Sequence, residues 1–523
     1  MEELLISGFM FAACLFPRFA LAAPPGGTEV GAAPASEQGQ AGSGEGAEAP
    51  APEDAPGESD PDAVVEIHPA GTTTQPAERV EPPAIATKTA DPGDGRPTAP
   101  PNPDPLLEAK GKIGPKQMPA SVAVYGIIST NAVFDSGTIG PTDDSPVFSS
   151  VGSGVGSGLP TDGVFLVTAR QSRLGVRSSV QLTDKLDIQG LLEIDFFGLH
   201  ENAGPGAVIQ PGLRLRLAKL EFGSAKHRFI AGQDWSVVTP RLPTSLSHMV
   251  VAAHTQSGAV WGRLPQLTYL FKQPIASASK LGNARFQLAL SVARNFSGDA
   301  LGGGVVRFDL PDPGTSSRLP LAQAHIGFES DMFSIGAGGQ VGRETYQVAR
   351  LAGDGILKTI DDNVPTWMVT GDIQAKGKWV WVTGEGFYGV NINGMLSNQG
   401  VRHDQWTTDQ VDPADPRLGQ DRDVVSLPGY GGWAEFGALL GTPKVKLVVS
   451  GGADVGRRDL VAEGARWLNI GALAGLIYAP FDVFDMSVEY QRIQTYYQHD
   501  ETTPLEQRLG FNNYVALTFR FKF

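Results

Sequence analysis

The chain has 523 residues, of which 41% are hydrophobic and 19% charged, and its formal net charge is −15 at pH 7. Up to Lys110 it holds 18 acidic and 5 basic residues, whereas the remainder holds 38 acidic and 36 basic residues, so the acidity belongs to the N-terminal region. No basic cluster suggests a nucleic-acid partner, and no His, Cys, Asp or Glu spacing suggests zinc or another cofactor.

The first 22 residues have the pattern of a secretory signal peptide. Leu4 to Phe16 is an apolar stretch too short for a transmembrane helix, and Ala20-Leu21-Ala22 follows it as a small-residue cleavage pattern. Glu2 and Glu3 stand where basic residues are usual, which a misassigned start codon would explain. Lipidation of Cys14 is the alternative, whereas cleavage near residue 22 leaves a mature chain without cysteine.

Residues 23–119 are predicted to be a disordered, acidic segment in the periplasm. They are rich in Pro, Ala, Gly and Glu and almost without aromatic residues, so they cannot bury enough apolar surface to offset the loss of chain entropy. The prolines favour an extended, semi-rigid spacer. A docking segment for a periplasmic partner or the cell wall has a similar composition and remains the alternative.

From residue 120 to residue 523 the sequence predicts an all-β fold, a transmembrane antiparallel β-barrel. Apolar and polar residues alternate, as at Phe484, Met486 and Val488 against Asp485 and Glu489. Such alternation is typical of a strand with one apolar and one wet face. Carboxylates on a lipid-facing surface are unfavourable. The alternate strand positions that carry charged residues must therefore face a water-filled lumen.

Sixteen strands are predicted, with fourteen or eighteen as alternatives, and the connections between them alternate between long and short. Barrels of bacterial outer membranes have short periplasmic turns and long outer loops, and an even strand number places both barrel ends in the periplasm. The predicted long loops are 135–163, 236–262, 344–363 and 392–429. The predicted strands are 121–134, 164–180, 185–198, 211–223, 225–235, 263–273, 284–295, 318–329, 332–343, 364–376, 378–391, 430–441, 443–455, 466–479, 481–494 and 511–523.

Two further predictions concern the C-terminal strand and the aromatic residues near strand ends. Phe519, Phe521 and Phe523 lie on one face of the last strand and indicate a closing strand recognised by the barrel-assembly machinery. Aromatic residues near strand ends are interpreted as interfacial girdles or as ordinary packing. They are Tyr125, Trp235, Trp367, Trp379, Trp433, Trp467, Tyr478 and Tyr514.

Five short motifs occur in order and resemble those of the DcaP-like outer-membrane porins. They are Arg170-Gln171-Ser172-Arg173-Leu174-Gly175, Glu193-Ile194-Asp195-Phe196-Phe197-Gly198, Arg214-Leu215-Arg216-Leu217-Ala218, Ile230-Ala231-Gly232-Gln233-Asp234-Trp235-Ser236 and Arg263-Leu264-Pro265-Gln266. The match covers about 100 residues closely and fades after about residue 270.

The resemblance implies a trimer of sixteen-stranded barrels that passes small solutes and favours anions such as dicarboxylates. Members of that family commonly carry a helical, coiled-coil-forming N-terminal extension. The corresponding region here is rich in proline and has no apolar heptads, so it cannot support a trimer in that way.

Five arginines are predicted to line the pore and bind anions: Arg173, Arg177, Arg214, Arg216 and Arg263. Strand parity turns the first four inward, and the resemblance covers all except Arg177. An array of guanidinium groups attracts carboxylates, and a charged wall selects the sign of the permeating ion. Glu193, Asp195 and Glu221 lie on neighbouring segments, so an Arg–carboxylate network that only keeps the wall rigid is the alternative.

The loop 236–262 is the third outer loop, which commonly folds into the barrel in sixteen-stranded porins. Arg241 and His254 are its candidates for a constriction. Packing or surface roles for both remain open, because the position of a loop cannot be read from spacing. Ser245 and His248 also lie in this loop, but two such residues in a polar loop do not predict an enzyme.

The predicted function is an outer-membrane porin with no enzymatic activity, forming a homotrimer in lipid and passing small anionic solutes. The alternative is a structural or tethering barrel that presents the acidic N-terminal segment in the periplasm. The mean hydropathy of −0.10 fits either hypothesis, because strands that cross a membrane alternate in polarity.

Overall fold

Alternating polarity produces β-strands through most of the described chain. The structure, a computed structural model, describes residues 107–113, 118–136, 163–198, 212–275, 282–297, 312–351, 357–405 except 398, 421–523 except 501, and single positions between 411 and 418. The predicted signal peptide, Cys14 and most of the predicted acidic segment lie outside these residues. Within the described ranges, no helix is long and apolar enough to cross a membrane.

Twenty strands, two short α-helices and a 3-10 helix at Asn393–Met395 make up the described secondary structure. The α-helices are α1 (Pro313–Ser316) and α2 (Leu505–Arg508). The strands are β1 (Leu107–Ile113), β2 (Met118–Asp135), β3 (Val164–Thr168), β4 (Arg173–Thr183), β5 (Leu186–Gly198), β6 (Gly212–Gly223), β7 (His227–Trp235), β8 (Arg263–Pro274), β9 (Arg285–Ala293), β10 (Leu321–Glu329), β11 (Phe333–Leu351), β12 (Leu357–Lys376), β13 (Val380–Val390), β14 (Val401–Gln405), β15 (Asp421–Ser426), β16 (Pro428–Leu439), β17 (Val445–Gly456), β18 (Arg466–Phe481), β19 (Phe484–Tyr497) and β20 (Leu509–Lys522).

Sixteen of these strands form a closed antiparallel barrel, as predicted. Each pairs with its neighbour in the chain, and β20 returns to pair with β2 from Ile127↔Lys522 to Asp135↔Tyr514. Closure leaves no strand edge along this seam, so backbone donors and acceptors are satisfied within the wall. Of the remaining strands, β3 continues the line of β4 along β2, and β14 pairs only with β15.

The two faces of the wall differ in polarity along every spanning strand. In β19, Asp485, Ser487 and Glu489 are buried on the inner face, whereas Val488 is 55% exposed on the outer face. Most of the exposed large apolar side chains are Leu, Val, Ile and Phe. An apolar exterior around a polar interior is the arrangement that a lipid bilayer requires of a barrel.

The C-terminal residue closes the seam through a glycine. The backbone of Phe523 exchanges two hydrogen bonds with that of Gly126, at 2.8 and 3.1 Å. Its ring lies over Gly126, where a Cβ would approach Phe523 Cζ to 2.5 Å, so only glycine leaves room for the ring. Phe519 and Phe521 are exposed on the outer face at 39% and 46%.

The structure departs from the sequence-based expectations at several places. Leu107–Ile113 lies within the segment predicted to be disordered, yet it forms β1 and pairs with Met118–Val124. The predicted strand 164–180 is broken by a turn at Ala169–Ser172. The predicted loop 344–363 was wrong for most of its length, because β11 and β12 extend to Leu351 and Leu357.

The predictions for the long outer loop and for the aromatic girdle also need correction. The predicted loop 392–429 contains the β14–β15 hairpin, whose Val424 packs on Tyr346 and Val364 of the β11–β12 hairpin. Tyr125, Trp433 and Tyr514 are buried with the inner face rather than placed in an interfacial girdle. Trp379 and Tyr478 are each 43% exposed at strand ends, as a girdle requires.

Candidate functional site in the barrel lumen

Three adjacent strands bring the predicted arginines together. The register of β4, β5 and β6 places Arg173 opposite Asp195, and Asp195 opposite Arg214. Side chains directly opposite each other in neighbouring strands share a face and lie within contact distance. The spacing of charges along the three strands therefore forms a cluster on the inner wall.

The cluster is held by charge-assisted hydrogen bonds. Arg214 donates to both carboxylate oxygens of Asp195, from Nε at 3.1 Å and from Nη2 at 2.7 Å. Arg216 donates from Nε to Glu193 Oε1 at 2.7 Å and from Nη1 to Asp195 Oδ2 at 3.0 Å. Arg173 Nε lies 3.5 Å from Glu193 Oε1. Two parallel donors on one carboxylate hold the guanidinium plane in place.

A β-bulge positions Arg216 in this cluster. The β5–β6 register shifts between Glu193, opposite Leu217, and Ile194, opposite Leu215, so Arg216 is the extra residue. A bulge re-aims a side chain and changes which face the following residues occupy. Arg216 and Leu217 are consequently both buried toward the lumen, although they are neighbours in the chain.

Tyr125 on β2 packs beside the arginine cluster and stabilises it through a hydrogen bond. Its hydroxyl donates to Glu193 Oε2 at 3.0 Å, and its ring lies over Gly175, the residue opposite it on β4. A Cβ on Gly175 would lie 2.2 Å from Tyr125 Cζ, so the ring fits only because the motif has glycine there.

Water reaches the arginines of this wall unequally. The side chains of Arg173 and Arg216 are each only 2% exposed, and both are enclosed in the network. Arg214 is 29% exposed although it pairs with Asp195. Arg177 is exposed on the inner face, with its guanidinium 5.4 Å from the ring of Tyr125. Arg214 and Arg177 are therefore the members of the cluster that dissolved ions can reach.

Arg263 is the first residue of β8. Its guanidinium lies 5.4 and 5.5 Å from the ring centroids of Trp235 and Trp261, the second of which belongs to the loop 236–262. Its Nη1 is buried, and the guanidinium lies within electrostatic range of Arg173, Arg214 and Arg216, so its position is consistent with the predicted arginine wall. Glu221, also expected near the cluster, instead pairs with Lys219 at 3.1 Å and Arg228 at 3.5 Å.

The loop 236–262, called the inner loop below, crosses the lumen. It begins beside β12, where Thr370 Oγ1 donates to Val238 O at 2.6 Å. It then contacts β16 through Thr244 Oγ1 and Glu435 Oε1, at 2.9 Å. On the arginine wall, Gln171 Nε2 donates to Ser247 O at 2.6 Å and Arg173 Nη2 donates to Met249 O at 3.2 Å. The inner loop therefore spans from one side of the barrel to the other.

Glu489 of β19 binds the centre of the inner loop. Its Oε1 accepts the backbone N–H groups of Leu246 and Ser247, at 2.7 and 3.2 Å, and its Oε2 accepts Ser247 Oγ at 2.8 Å and also Ser245 Oγ. Both hydroxyls also lie near His248 Nδ1, at 3.1 and 2.9 Å. This buried carboxylate uses its acceptor sites on the loop, so its oxygens are not free to bind dissolved cations.

Arg241 and His254 anchor the inner loop rather than line its free surface. Arg241 is 7% exposed and donates from Nε to Asp372 Oδ1 at 3.1 Å, and its Nη2 donates to Ser334 Oγ. His254 is 1% exposed, with Nε2 2.8 Å from Ser450 Oγ. Burial, followed by the proximity of His248, lowers the pKa of His254 to about 3, so its imidazole is neutral at physiological pH.

Sequence reasoning missed the carboxylates that receive the inner loop. Glu385, Glu435 and Glu489 lie on β13, β16 and β19 and are all at most 4% exposed. Their inward parity was visible in the sequence, but only the path of the loop shows which donors reach them. Within the described residues, no group of three potential ligands could hold a metal ion.

Comparison with known proteins finds the same architecture in solved structures. No protein-family model matches the chain, and no curated protein matches it. The outer membrane channel DcaP of Acinetobacter baumannii is similar over 77% of this chain and 97% of its own, with 18% identity and a TM-score of 0.54. OmpF of Salmonella typhi, in a complex with daunomycin, covers 77% of this chain and 98% of its own, with 12% identity and a TM-score of 0.48. An anion-selective porin from Comamonas acidovorans covers 77% of this chain and all of its own, with 10% identity and a TM-score of 0.44.

The similarity to the DcaP structure confirms the expected resemblance at the level of the fold. At 18% identity it shows a shared sixteen-stranded barrel and leaves the solute and the oligomeric state to be argued from this chain's own residues.

Proposed function

We propose that this protein is an outer-membrane porin, a passive diffusion channel for small hydrophilic solutes. The observation that carries the proposal is the closed wall of sixteen strands, apolar outside and charged inside. A barrel of this size encloses a lumen wider than its own side chains fill. The short turns lie in the periplasm together with the N-terminal segment, and the functional unit is a homotrimer.

The inner wall supports a preference for anions such as dicarboxylates. Among the described residues, Arg173, Arg214 and Arg216 form ion pairs with two carboxylates, and with Arg177 beside them this wall carries an excess of positive charge. Two of these arginines are accessible to water. A guanidinium attracts carboxylates and can bind them through two donors.

Carboxylates elsewhere on the inner wall offset this positive charge only in part. Glu489 and Glu435 accept hydrogen bonds from the inner loop and are buried beneath it. Arg241 of the same loop covers Asp372. The inner loop therefore narrows the lumen and screens its acidic side, while Arg177 and Arg214 remain exposed. In this account Arg173, Arg216, Arg241 and His254 position the filter rather than contact solutes.

The reversal potential of reconstituted protein in a KCl gradient tests the anion preference. Wild type should favour chloride, and R177A/R214A should shift the reversal potential toward zero while the conductance persists. K444A is the matched control, because Lys444 is an exposed cation in the turn between β16 and β17. An unchanged reversal potential in R177A/R214A would exclude these two arginines as the filter.

The extent to which the inner loop covers the lumen favours a second candidate, a tethering barrel. Many inward side chains, including Glu385, Glu435 and Asp454, are almost fully buried. A plugged barrel would conduct little, and its role would be to hold the acidic segment in the periplasm. Loss of envelope integrity on deletion of residues 24–115, together with no measurable conductance, would support that candidate over the porin.

A further inference from the structure

Arg492 lies on the lipid-facing side of the barrel. Arg492 of β19 shares strand parity with Val488 and Tyr490 on the outer face, and both its neighbours in the chain, Gln491 and Ile493, are buried on the inner face. A guanidinium in contact with hydrocarbon is costly, so such a residue lies at the level of lipid headgroups or has a counter-ion.

The contacts of Arg492 orient it without neutralising it. Its Nη1 donates to Asn513 Oδ1 at 3.4 Å, and its guanidinium lies 5.6 Å from the ring of Phe511. Asn513 is itself fixed, because Tyr490 Oη donates to its Oδ1 at 2.8 Å and its backbone N–H donates to Ser136 Oγ at 2.9 Å. Among the described residues, Arg492 forms no ion pair with a carboxylate.

The strand register places Arg492 near the outer end of the wall. Arg492 is opposite Asn513, and the next residue of β20, Tyr514, pairs with Asp135, the last residue of β2. The connection that follows β2 is one of the long outer loops. Arg492 therefore lies where the barrel wall leaves the outer leaflet, at the depth of headgroups rather than acyl chains.

A second arginine extends the positive charge outward along the same face. Arg458, in the connection between β17 and β18, is exposed and lies 5.7 Å from the ring of Trp467, which packs against Tyr496 at 6.1 Å. It donates from Nε to Gln498 Oε1 at 2.8 Å and from Nη2 to His499 O at 3.2 Å, both uncharged acceptors. Tyr496 lies four residues beyond Arg492 on the same strand face, roughly 13 Å along β19.

We propose that Arg492 and Arg458 form a binding site for a phosphate-bearing headgroup of an outer-leaflet lipid. Aromatic rings and cations occur together at membrane interfaces, where the rings lie at the headgroup level and the cations meet anionic groups. Ala472, opposite Arg492 on β18, leaves space beside the guanidinium for the lipid. The site rests on the membrane placement of the barrel, but not on the pore being open or selective.

Native mass spectrometry of the detergent-folded protein tests the site. The probes are lipid A with two phosphates, its dephosphorylated form, and inorganic phosphate. Wild type should retain lipid A, and R492Q/R458Q should bind it at least about tenfold more weakly, since each charged hydrogen bond contributes about that factor. R492K/R458K should recover most of the affinity, because it restores the charge. K444Q, which removes an exposed cation from the opposite end of the barrel, should bind as wild type does.

Three results would overturn the proposal. They are equal affinity of wild type and R492Q/R458Q for lipid A, equal affinity of wild type for the dephosphorylated lipid, and loss of the oligomer in R492Q/R458Q, which would make this face a contact between copies of the chain. Competition by inorganic phosphate at millimolar concentration would also contradict it, because the site would then bind a free anion. Heat-dependent gel mobility shows that each variant is folded, and conductance of the same samples separates this test from the porin proposal.

Discussion

Gly175 lies directly beneath the ring of Tyr125, with room for no further atom: a Cβ on Gly175 would be 2.2 Å from Tyr125 Cζ and 2.5 Å from its hydroxyl oxygen. The ring position lets the Tyr125 hydroxyl donate to Glu193, which in turn accepts from Arg216. A glycine on β4 thus determines whether the arginine wall has its supporting hydrogen bond.

We expect G175A to destabilise the barrel by about 1–3 kcal/mol, the usual cost of overpacking a filled site. Tyr125 must rotate away, which also breaks its hydrogen bond to Glu193. Urea unfolding of the detergent-folded protein, followed by tryptophan fluorescence, measures the change. G371A is the control, because a Cβ there meets only Gly336 O at 4.0 Å. Equal effects of the two substitutions would contradict the account of Gly175.

Removal of Arg216 should be more damaging than removal of Arg177. R216A leaves the buried Glu193 and Asp195 without their shared partner, and breaking a buried ion pair costs about 3–5 kcal/mol. R177A removes an exposed guanidinium, so it should change the unfolding free energy little while it weakens the anion preference. The same urea titration compares both variants. Similar unfolding free energies for R216A and R177A would show that the ion pairs of Arg216 contribute little to stability.

Glu489 should control how tightly the inner loop is held. E489A removes the acceptor of two backbone N–H groups and two serine hydroxyls, so the loop should detach and the single-channel conductance and current noise should rise. E463A is the control, because Glu463 is an exposed carboxylate of an outer connection. A conductance for E489A equal to that of wild type would mean that Glu489 does not hold the loop in place.

The imidazole of His254 should stay neutral far below the usual pH. Its pKa is lowered from 6.5 to about 3 by burial and by His248, so the stability it contributes is complete above pH 6.5 and is lost as pH falls toward 3. NMR of the detergent-folded protein, with H254Q to assign the resonance, should show no protonation between pH 7 and 4.5. A titration midpoint above about 5 would contradict the burial of this residue.

The strands could be predicted well from the sequence because a bilayer requires apolar residues at every position of a strand that faces lipid. Alternation at Phe484, Met486 and Val488 placed β19 within a few residues, and closure followed from the C-terminal strand. The same rule fails where a strand leaves the membrane. The hairpin of β11 and β12 continues to Leu351 and Leu357, where lipid no longer requires apolar residues on one face.

The candidate site was only partly predictable. Parity and the motifs brought Arg173, Arg214 and Arg216 to one wall. The bulge at Arg216, which also turns Leu217 inward, was not predicted, because no periodicity reveals a single inserted residue. The anchors of the inner loop depend on contacts between residues more than 100 positions apart, such as Arg241 with Asp372, which spacing cannot show.

Single-channel recording of the purified protein in a planar bilayer tests the central claim most directly, that the charged face of the alternating wall encloses a continuous path for water. The account predicts discrete, ohmic conductance steps in KCl that persist without any energy source. A bilayer whose resistance stays that of the protein-free membrane, although the inserted protein migrates as a folded barrel, would contradict it.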